Sequence, residues 1–577
     1  MKRMPGWVFG SLRGYQWAWL RRDLVAGLTV WAVLIPESLA YASIAGVSPV
    51  IGLYAAVPAL VLYPVLGSSR HLVVGPMSAT AALSAGVVGG IVANGSEEFP
   101  AYTAGLALAV GTLAVLAGLL RLGFLANFIS EPVLKGFIVG MALVIIVGQL
   151  PKLLGVEGGE GTFFAKLWSV VTSLDETNGW AALVGGLCLA IVLVLRRVAP
   201  MVPGSLVAVA LGVVLSGALD LAGRGVAVVG AIDAGLPSPG VPDLAAVSDV
   251  PLLLSGAAGV MLVGFAEGLG AAKTYARRDG YRIDANRELA GLGAVNLGSG
   301  FLSGMVVNGS LSKTAVNGGA GAKSQVSGWT VAALTVLTLL VLTPLFEPLP
   351  EPALAAVVIA AVVDLVDVGG LRRLYAVNTA ALRSIYGRAA RADFICALGA
   401  LLGVLVFDTL PGLLIGVVLS VVLLLERSAY PHVAVLGRVE GGGPGRWTDR
   451  ERDPGSTPVP GVVVVRVESG LYFANADTVR DRLLELAVDG VRALVLDATT
   501  VPTVDVTAAG MLRDTAAELE SRGVRLLAVG NVGQVRDVLR RAGASSVLDR
   551  PYPTVDAAVA ATSPGEGDAH GGAPARR

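Results

Sequence analysis

From about residue 23 to residue 426 the chain is a succession of long apolar runs with short polar punctuation; past Arg427 it changes to an ordinary soluble pattern. A helix needs about 20 apolar residues to cross a bilayer core. Runs near that length lie at 24–45, 49–66, 101–120, 132–150, 180–195, 203–219, 251–272, 285–303, 326–343, 351–366, 393–407 and 411–425. Two more stretches, near 75–92 and 309–322, are shorter, glycine-rich and interrupted. Counting both predicts fourteen spans, an even number that returns the chain to its starting side. Residues 459–548 instead alternate strand and helix periods.

Charge placement gives the orientation. Loops on the N-terminal side of this order carry Arg70, Arg121, Arg196, Arg197, Arg277, Arg278, Lys323, Arg372 and Arg373, whereas the opposite loops carry Glu97, Glu98, Glu157, Asp175, Glu176 and Glu347. Cytoplasmic loops are enriched in Lys and Arg, so both termini are expected in the cytoplasm of a multi-pass cell-membrane protein. Composition agrees: 54% of residues are hydrophobic and only 15% charged, against about 25% charged in soluble domains. A formal net charge of zero argues against a nucleic-acid partner. Two cysteines, Cys188 and Cys396, exclude a disulfide framework and read as small core residues. Three scattered histidines give no metal site, and no cofactor motif, nucleophile–base pair or Walker motif points to an enzyme.

The two short stretches resemble each other. Gly75-Pro-Met-Ser-Ala-Thr-Ala81 and Gly309-Ser-Leu-Ser-Lys-Thr-Ala315 share G-x-[M/L]-S-x-T-A, and each follows a second matched motif, Glu37–Ala42 (ESLAYA) and Glu267–Ala272 (EGLGAA). In the span order the first short stretch runs outward and the second inward. The halves are then inverted repeats of seven spans, the plan of many secondary transporters, whose substrate lies near the midplane between broken helices. The first N–H groups of each half-helix have no intrahelical partner and together amount to about half a positive charge, so two facing ends make an anion site from backbone. Pro76 suits the first turn of such a helix. Ser78, Ser310 and Ser312 offer hydroxyls, as donors to an anion or as helix caps, and Lys313 adds a full charge. A charge inside the membrane requires a partner or a role. Two readings are open for Lys313: a structural ion pair with a glutamate, or attraction of the anion with Glu267 binding a coupling cation. Tyr41, one turn beyond Glu37, either lines the same cavity or packs. Glu131 and Lys135 read as a local i,i+4 salt bridge.

The chain resembles the sulfate permease (SulP) family through RDLVAGLTVWAVLIPESLAYASIAGVSPVIGLYAA at 22–56, RHLVVGPMSATAAL at 70–83 and GFLSGMVVNGSLSKTAVNGGAGAKSQVSG at 300–328. The resemblance implies a seven-plus-seven fold with a core and a gate domain, an anion held between the third and tenth spans, a homodimer, and movement of core against gate. It implies that Met77, Ser78 and Ala79 start the third span and Leu311, Ser312 and Lys313 the tenth. It places Glu267 where bacterial relatives carry an acid in the eighth span, linked to proton coupling when Glu and to sodium when Asp. Glu37 departs from the pattern, since most relatives have Gln after the first-span proline. With Glu37 and Glu267 both ionised the positive charge of the site would be cancelled, so at least one is expected to be protonated when the anion binds.

The tail is similar to a STAS domain over 459–550, with strands at 462–467, 471–474, 493–498 and 525–530 and helices near 477–488, 507–521 and 533–541. Thr507 lies where related bacterial anti-sigma-factor antagonists have a phosphorylated serine; its plainer reading, the one preferred, is a helix N-cap. Residues 1–22 read as a cytoplasmic segment, 431–458 as a flexible linker, and 551–577 as a tail disordered at its end. The expected function is secondary active transport of a small inorganic anion, sulfate-like or bicarbonate-like, coupled to protons. The alternatives are a dicarboxylate or nucleobase carrier of the same architecture, or a membrane sensor signalling through the tail.

Overall fold

The structure, a computed structural model, describes residues 9–12, 14–93, 95–124, 130–159, 161–199, 202–230, 235–240, 242, 250–376, 392–407, 409–439, 445–530, 533–544 and 552–562. It divides into two compact units, residues 1–374 with 393–419, and residues 375–392 with 420–577.

A helix stands in every run expected to cross the membrane. The first half contains α1 (Leu20–Ile44), α2 (Pro49–Leu66), α3 (Ser78–Gly89), α4 (Phe99–Leu119), α5 (Glu131–Leu154), α6 (Phe163–Thr172), α7 (Gly179–Val198) and α8 (Gly204–Leu219). The second contains α9 (Val250–Arg278), α10 (Ala285–Phe301), α11 (Leu311–Gly319), α12 (Val326–Leu337), α13 (Glu351–Val362), α14 (Val368–Ala376), α15 (Ala392–Phe407) and α16 (Thr409–Ala429). Among the described residues, eight helices are long and apolar enough to cross a membrane unaided. Their ends follow local chemistry. Asn178 caps α7 by accepting from the Trp180 and Ala181 amides, Asp284 caps α10 through Asn286 and Arg287, and α5 stops at Gly155, whose φ of 67° a side chain would resist. Cys188 and Cys396 are buried, and Lys135 meets Glu131 at 2.7 Å.

The half-helices α3 and α11 have only 12 and 9 residues. Each is preceded by a three-residue strand, β1 (Val73–Gly75) and β2 (Asn308–Ser310), and these pair antiparallel, Val73 with Ser310, Val74 with Gly309 and Gly75 with Asn308. Strand plus half-helix covers roughly 28 Å in the first half and roughly 23 Å in the second, most of the thickness one long helix would cross. Around this ladder the contacts are two-fold related: α1 packs on α11 of the other half, and α9 packs on α3.

The most extensive helix contact joins α4 and α10. It depends on two facing glycines: a Cβ at Gly111 would lie 2.8 Å from the Gly293 carbonyl oxygen, and one at Gly293 would lie 2.6 Å from the Val115 nitrogen. Close backbone approach at small residues is how membrane helices gain packing contact. Gly293→Val is therefore expected to push the helices apart and destabilise the protein by about 1–3 kcal/mol, seen as a lower melting temperature in detergent.

The second unit contains a five-stranded sheet in the order β4-β3-β5-β6-β7, with β3 (Val433–Arg438), β4 (Trp447–Asp449), β5 (Val462–Val467), β6 (Ala493–Asp497) and β7 (Arg525–Val529). β5, β6 and β7 are parallel, and β3 is antiparallel to both of its neighbours. Helices α17 (Ala476–Leu486), α18 (Val506–Ser521), α19 (Gly533–Arg541) and α20 (Val555–Ala560) complete it. Val465, Val467, Leu494, Leu496, Leu512 and Leu519 form its core.

Several expectations for this region are corrected. Residues 433–438 and 447–449, read as flexible linker, form a strand pair fixed by backbone bonds and by His432, whose Nε2 lies 2.9 Å from Asp449 Oδ2. Residues 440–444 lie outside the described residues. LYFA (471–474) is not a strand: only Leu471 bridges, to Val504, and the chain then turns under the Asn475 side chain. The body also extends past 550, since Val555 and Ala558 of α20 are buried against the sheet. The expected disorder at the end falls on residues 563–577, outside the described set. In the membrane-spanning region the amphipathic helix α6 was not anticipated.

Candidate functional site

The β1–β2 ladder brings the two half-helices together at their N-terminal ends. α3 starts at Ser78 after Met77, which offers no side-chain cap, so the first amides of α3 are not satisfied from that side chain. α11 starts at Leu311 and is capped by Ser310, whose Oγ accepts from the Lys313 amide at 3.3 Å and lies 3.1 Å from Ser312 Oγ. Thr314 ties the halves together: its hydroxyl accepts from the Val73 amide at 3.0 Å and donates to the Ser310 carbonyl. Ser78 and Ala79 are buried, Met77 is half-buried, and Leu311 and Ser312 are exposed. Pro76 is not in the first turn as expected. It precedes the cap, where its carbonyl is free to accept, because α3 begins two residues later.

Lys313 is the centre of the arrangement. Its side chain is fully buried, and Nζ lies 2.9 Å from Glu37 Oε2, donates to the Pro76 carbonyl at 2.9 Å and stands 4.9 Å above the Tyr41 ring. α1 supplies Glu37 and Tyr41 one helical turn apart, and α11 supplies the lysine, so the contact joins the two halves of the repeat. The Glu37 contact is an electrostatic approach rather than an aligned hydrogen bond, for Oε2 has no hydrogen-bond partner in the strict sense. Burial of both charges makes the pair costly to break, because removing one partner strands the other.

Glu37 and Ser312 also face a cavity of about 330 Å³ between α1, α7, α8, α11 and α13, along with Arg196 and Ser205. Arg196 holds the far wall by donating to the Ala360 carbonyl at 2.8 Å. In the sequence Arg196 signals only the sidedness of a loop; nothing in the pattern marks it as a cavity residue. Glu267 is set apart from the Lys313 cluster. It lies on α9, half-buried, and its Oε2 is buried with no hydrogen-bond partner among the described residues.

Sequence reasoning also missed a buried polar belt around the loops leading into the half-helices. Glu288 accepts from Tyr63 Oη at 2.7 Å, from the Ser68 amide and hydroxyl at 2.6 Å each, and from the Ser69 amide at 3.1 Å. Asp23 accepts from the Lys323 amide and from Ser324. His71 sits between Tyr281, Asp279 and the Ala322 carbonyl. These groups fix the loops on which the ladder rests, and their spacing follows no repeat.

In the second unit Thr507 is not the cap of α18. Asp505 takes that place, its Oδ1 accepting from the Ala508 amide and its Oδ2 from the Phe473 amide at 2.8 Å each, which leaves Thr507 exposed in the first turn. The acid outcompetes the threonine because it bonds both neighbours at once.

Two short helices meeting end to end across an antiparallel strand pair, inside a helical membrane unit joined to a sheet-containing unit, define the class: a polytopic membrane transporter of the inverted-repeat kind. The sequence comparisons make the class specific, and the chain belongs to the sulfate permease family, whose profile matches residues 20–384, with a STAS domain matched at 456–558. A Mycobacterium tuberculosis protein carrying the name "probable sulfate transporter" is 38% identical over 553 residues, covering 94% of this chain and 95% of that one. A high affinity sulfate transporter of Stylosanthes hamata is 29% identical over 589 residues, covering 96% and 85%. Among solved structures, the murine solute carrier 26 family member A9 anion transporter in the inward-facing state superposes with a TM-score of 0.83 at 22% identity, covering 95% and 92%. The transmembrane domain of the cyanobacterial bicarbonate transporter BicA gives 0.58 at 21%, covering 70% and 98%. At these identities the structural likeness establishes the fold. The protein is thus an anion transporter by family, and its relatives are named transporters rather than enzymes.

Proposed function

We propose that the protein is a proton-coupled secondary transporter of a small inorganic oxyanion, with sulfate as the first candidate and bicarbonate as the second. The observation that carries this reading is the meeting of two half-helix N-termini beside a buried lysine. The ends supply about one positive charge together, and Lys313 a second. In the present arrangement Glu37 neutralises Lys313, so Glu37 stands where an anion would. Transport then begins when the anion displaces that carboxylate from Lys313, reaching it through the cavity shared by Glu37 and Ser312. Met77, Ser78, Ala79, Leu311 and Ser312 supply the backbone and hydroxyl donors, and Tyr41 holds the lysine in place through its ring. Glu267, with an unpartnered buried oxygen, carries the coupling proton; sodium is the less favoured ion.

The remaining parts of the reading follow the family. Both termini lie in the cytoplasm, by the loop charges, and the cell membrane is the site of action. The working unit is a homodimer in which a core of spans moves against a gate. The membrane-spanning part, near 23–430, does the transport, and the STAS domain regulates it, with exposed Thr507 as the candidate position for modification. The test is uptake into proteoliposomes of labelled sulfate, bicarbonate, chloride and fumarate, with and without pH or sodium gradients. Sulfate or bicarbonate uptake stimulated by an inward proton gradient is expected; stimulation of fumarate alone, or by sodium alone, overturns the assignment.

A further inference from the structure

The inverted repeat invites comparison of how each half satisfies its own glutamate. In the first half Glu37 of α1 faces the start of α11 and meets Lys313. In the second half α9, the helix that carries Glu267, packs on α3, and the α3 residue matching Lys313 is Ala79. Glu267 therefore has no lysine, and its Oε2 is buried without a hydrogen-bond partner.

The same neighbourhood holds an orphaned donor. Asn308 of β2 is 2% exposed, and its Nδ2 is buried without a partner. The residue matching Asn308 in the first half is Val74, which is apolar, so the second half has a polar group added beside the acid that lacks a lysine. α9 makes room for it with glycines on either side of Glu267. A Cβ at Gly264 would lie 3.4 Å from Asn308 Nδ2, and one at Gly268 would lie 2.9 Å from its Oδ1. The asparagine amide thus lies against the turn of α9 that carries Glu267.

Other groups around α9 are engaged elsewhere or remote. The elements packed most closely on it are α3, α4, α10, α11 and β2. α3 and β2 carry no titratable or charged residue. α4 carries Tyr102 one turn before Gly105, which lines a cavity with Val250 and Leu253 at the start of α9, far along the helix from Glu267. On α10, Arg287 donates to the Leu66 and Gly67 carbonyls, and Glu288 is held by Tyr63, Ser68 and Ser69. On α11, Lys313 is held by Glu37 and Pro76.

We infer that Asn308 is the positioning residue of Glu267: its Nδ2–H donates to the Glu267 carboxylate, directly or through one water, when that acid has released its proton. A buried carboxylate without a donor is strongly disfavoured, so a neutral donor stabilises the ionised form enough for the proton to leave, whereas a lysine would hold the site permanently charged. One half of the repeat thus answers its glutamate with a lysine, the other with a neutral amide that lets the proton exchange.

This inference rests on the coupling role proposed for Glu267, and the test separates the two. Proton-driven sulfate uptake by the full-length protein in proteoliposomes is measured against pH for the wild type, Asn308→Val, Asn308→Asp, Glu267→Gln and Asn308→Asp with Glu267→Gln. Asn308→Val installs the residue of the first half and keeps a strand former. Both Asn308 variants are expected to move the pH of half-maximal uptake up by about one unit or more. The shift should vanish in the Glu267→Gln background while sulfate counterflow persists. An unmoved profile in folded Asn308→Val and Asn308→Asp overturns the positioning role. A flat profile for Glu267→Gln with unmoved Asn308 variants sinks this inference alone, and an unchanged profile for Glu267→Gln sinks the coupling assignment and this inference with it. Should Asn308→Val fail to fold, as judged by gel filtration, Asn308→Asp decides alone.

Discussion

Lys313→Ala is expected to weaken anion binding by about 30-fold, near 2 kcal/mol, and to destabilise the protein at the same time. The two effects have separate causes. A unit charge a few ångströms from a bound anion contributes about this much once solvent and protein screening are allowed for. The loss of stability comes from Glu37, which lies 2.9 Å from the ammonium and would be left as an isolated buried carboxylate. Breaking such a pair from one side costs roughly 3–5 kcal/mol. Glu37→Gln in the same molecule removes the stranded charge, so the double variant should regain its melting temperature and still bind the anion weakly. Glu37→Gln alone should bind more tightly than the wild type, because Lys313 is released from its internal competitor. Isothermal titration of the purified protein, with thermal melts, reads all three. Unchanged affinity in folded Lys313→Ala would assign the lysine to structure alone.

Glu267→Gln is expected to abolish proton-driven accumulation while leaving anion counterflow intact. One pH unit is worth about 1.4 kcal/mol, so a carrier moving one proton per anion accumulates about tenfold per unit of inward gradient at zero membrane potential, and the variant none. Glutamine keeps the size and the hydrogen-bonding capacity of the acid but cannot exchange a proton. Glu37→Gln should keep the stimulation. Proteoliposome uptake at fixed external pH and varied internal pH distinguishes the two. Undiminished pH dependence in Glu267→Gln would move the coupling to Glu37 or out of this site.

The spans were legible because each apolar run must bury or face lipid along its whole length, and hydropathy records that directly. The half-helices were legible for a different reason: the repeated G-x-[M/L]-S-x-T-A motif marks two places where the chain starts a helix inside the membrane. The ladder between them was not, since VVG and NGS are too short to show a period of two. The Lys313–Glu37 contact spans the halves, and no local spacing says which glutamate meets the lysine, so an ion pair and attraction of the anion both stayed open in the sequence. The α6 helix escaped because its 10 residues are too few for a span and its apolar face lies between two strong ones. Glycines misled the reading of 431–458, where GRVEGGGPGRW looked like a tether although the residues flanking it pair as strands. LYFA has strand composition, yet tertiary contacts through Asn475 and Asp505 turn it. Composition reports local preference, and these segments were decided by partners far along the chain.

The β1–β2 ladder has a mechanical corollary. Sliding α3 past α11 would break backbone bonds in a place where no solvent replaces them, each worth about 1–3 kcal/mol when left unmade, as well as the Val73–Thr314 bond. The two helix ends are therefore riveted into one body, and thermal motion carries them as a single piece of cargo gear. If the anion sits between them as proposed, it travels with its whole coordination intact instead of being passed from one half to the other. On that proposal its grip is the same whichever side of the membrane it faces, and the sense of net flow is left to the gradients.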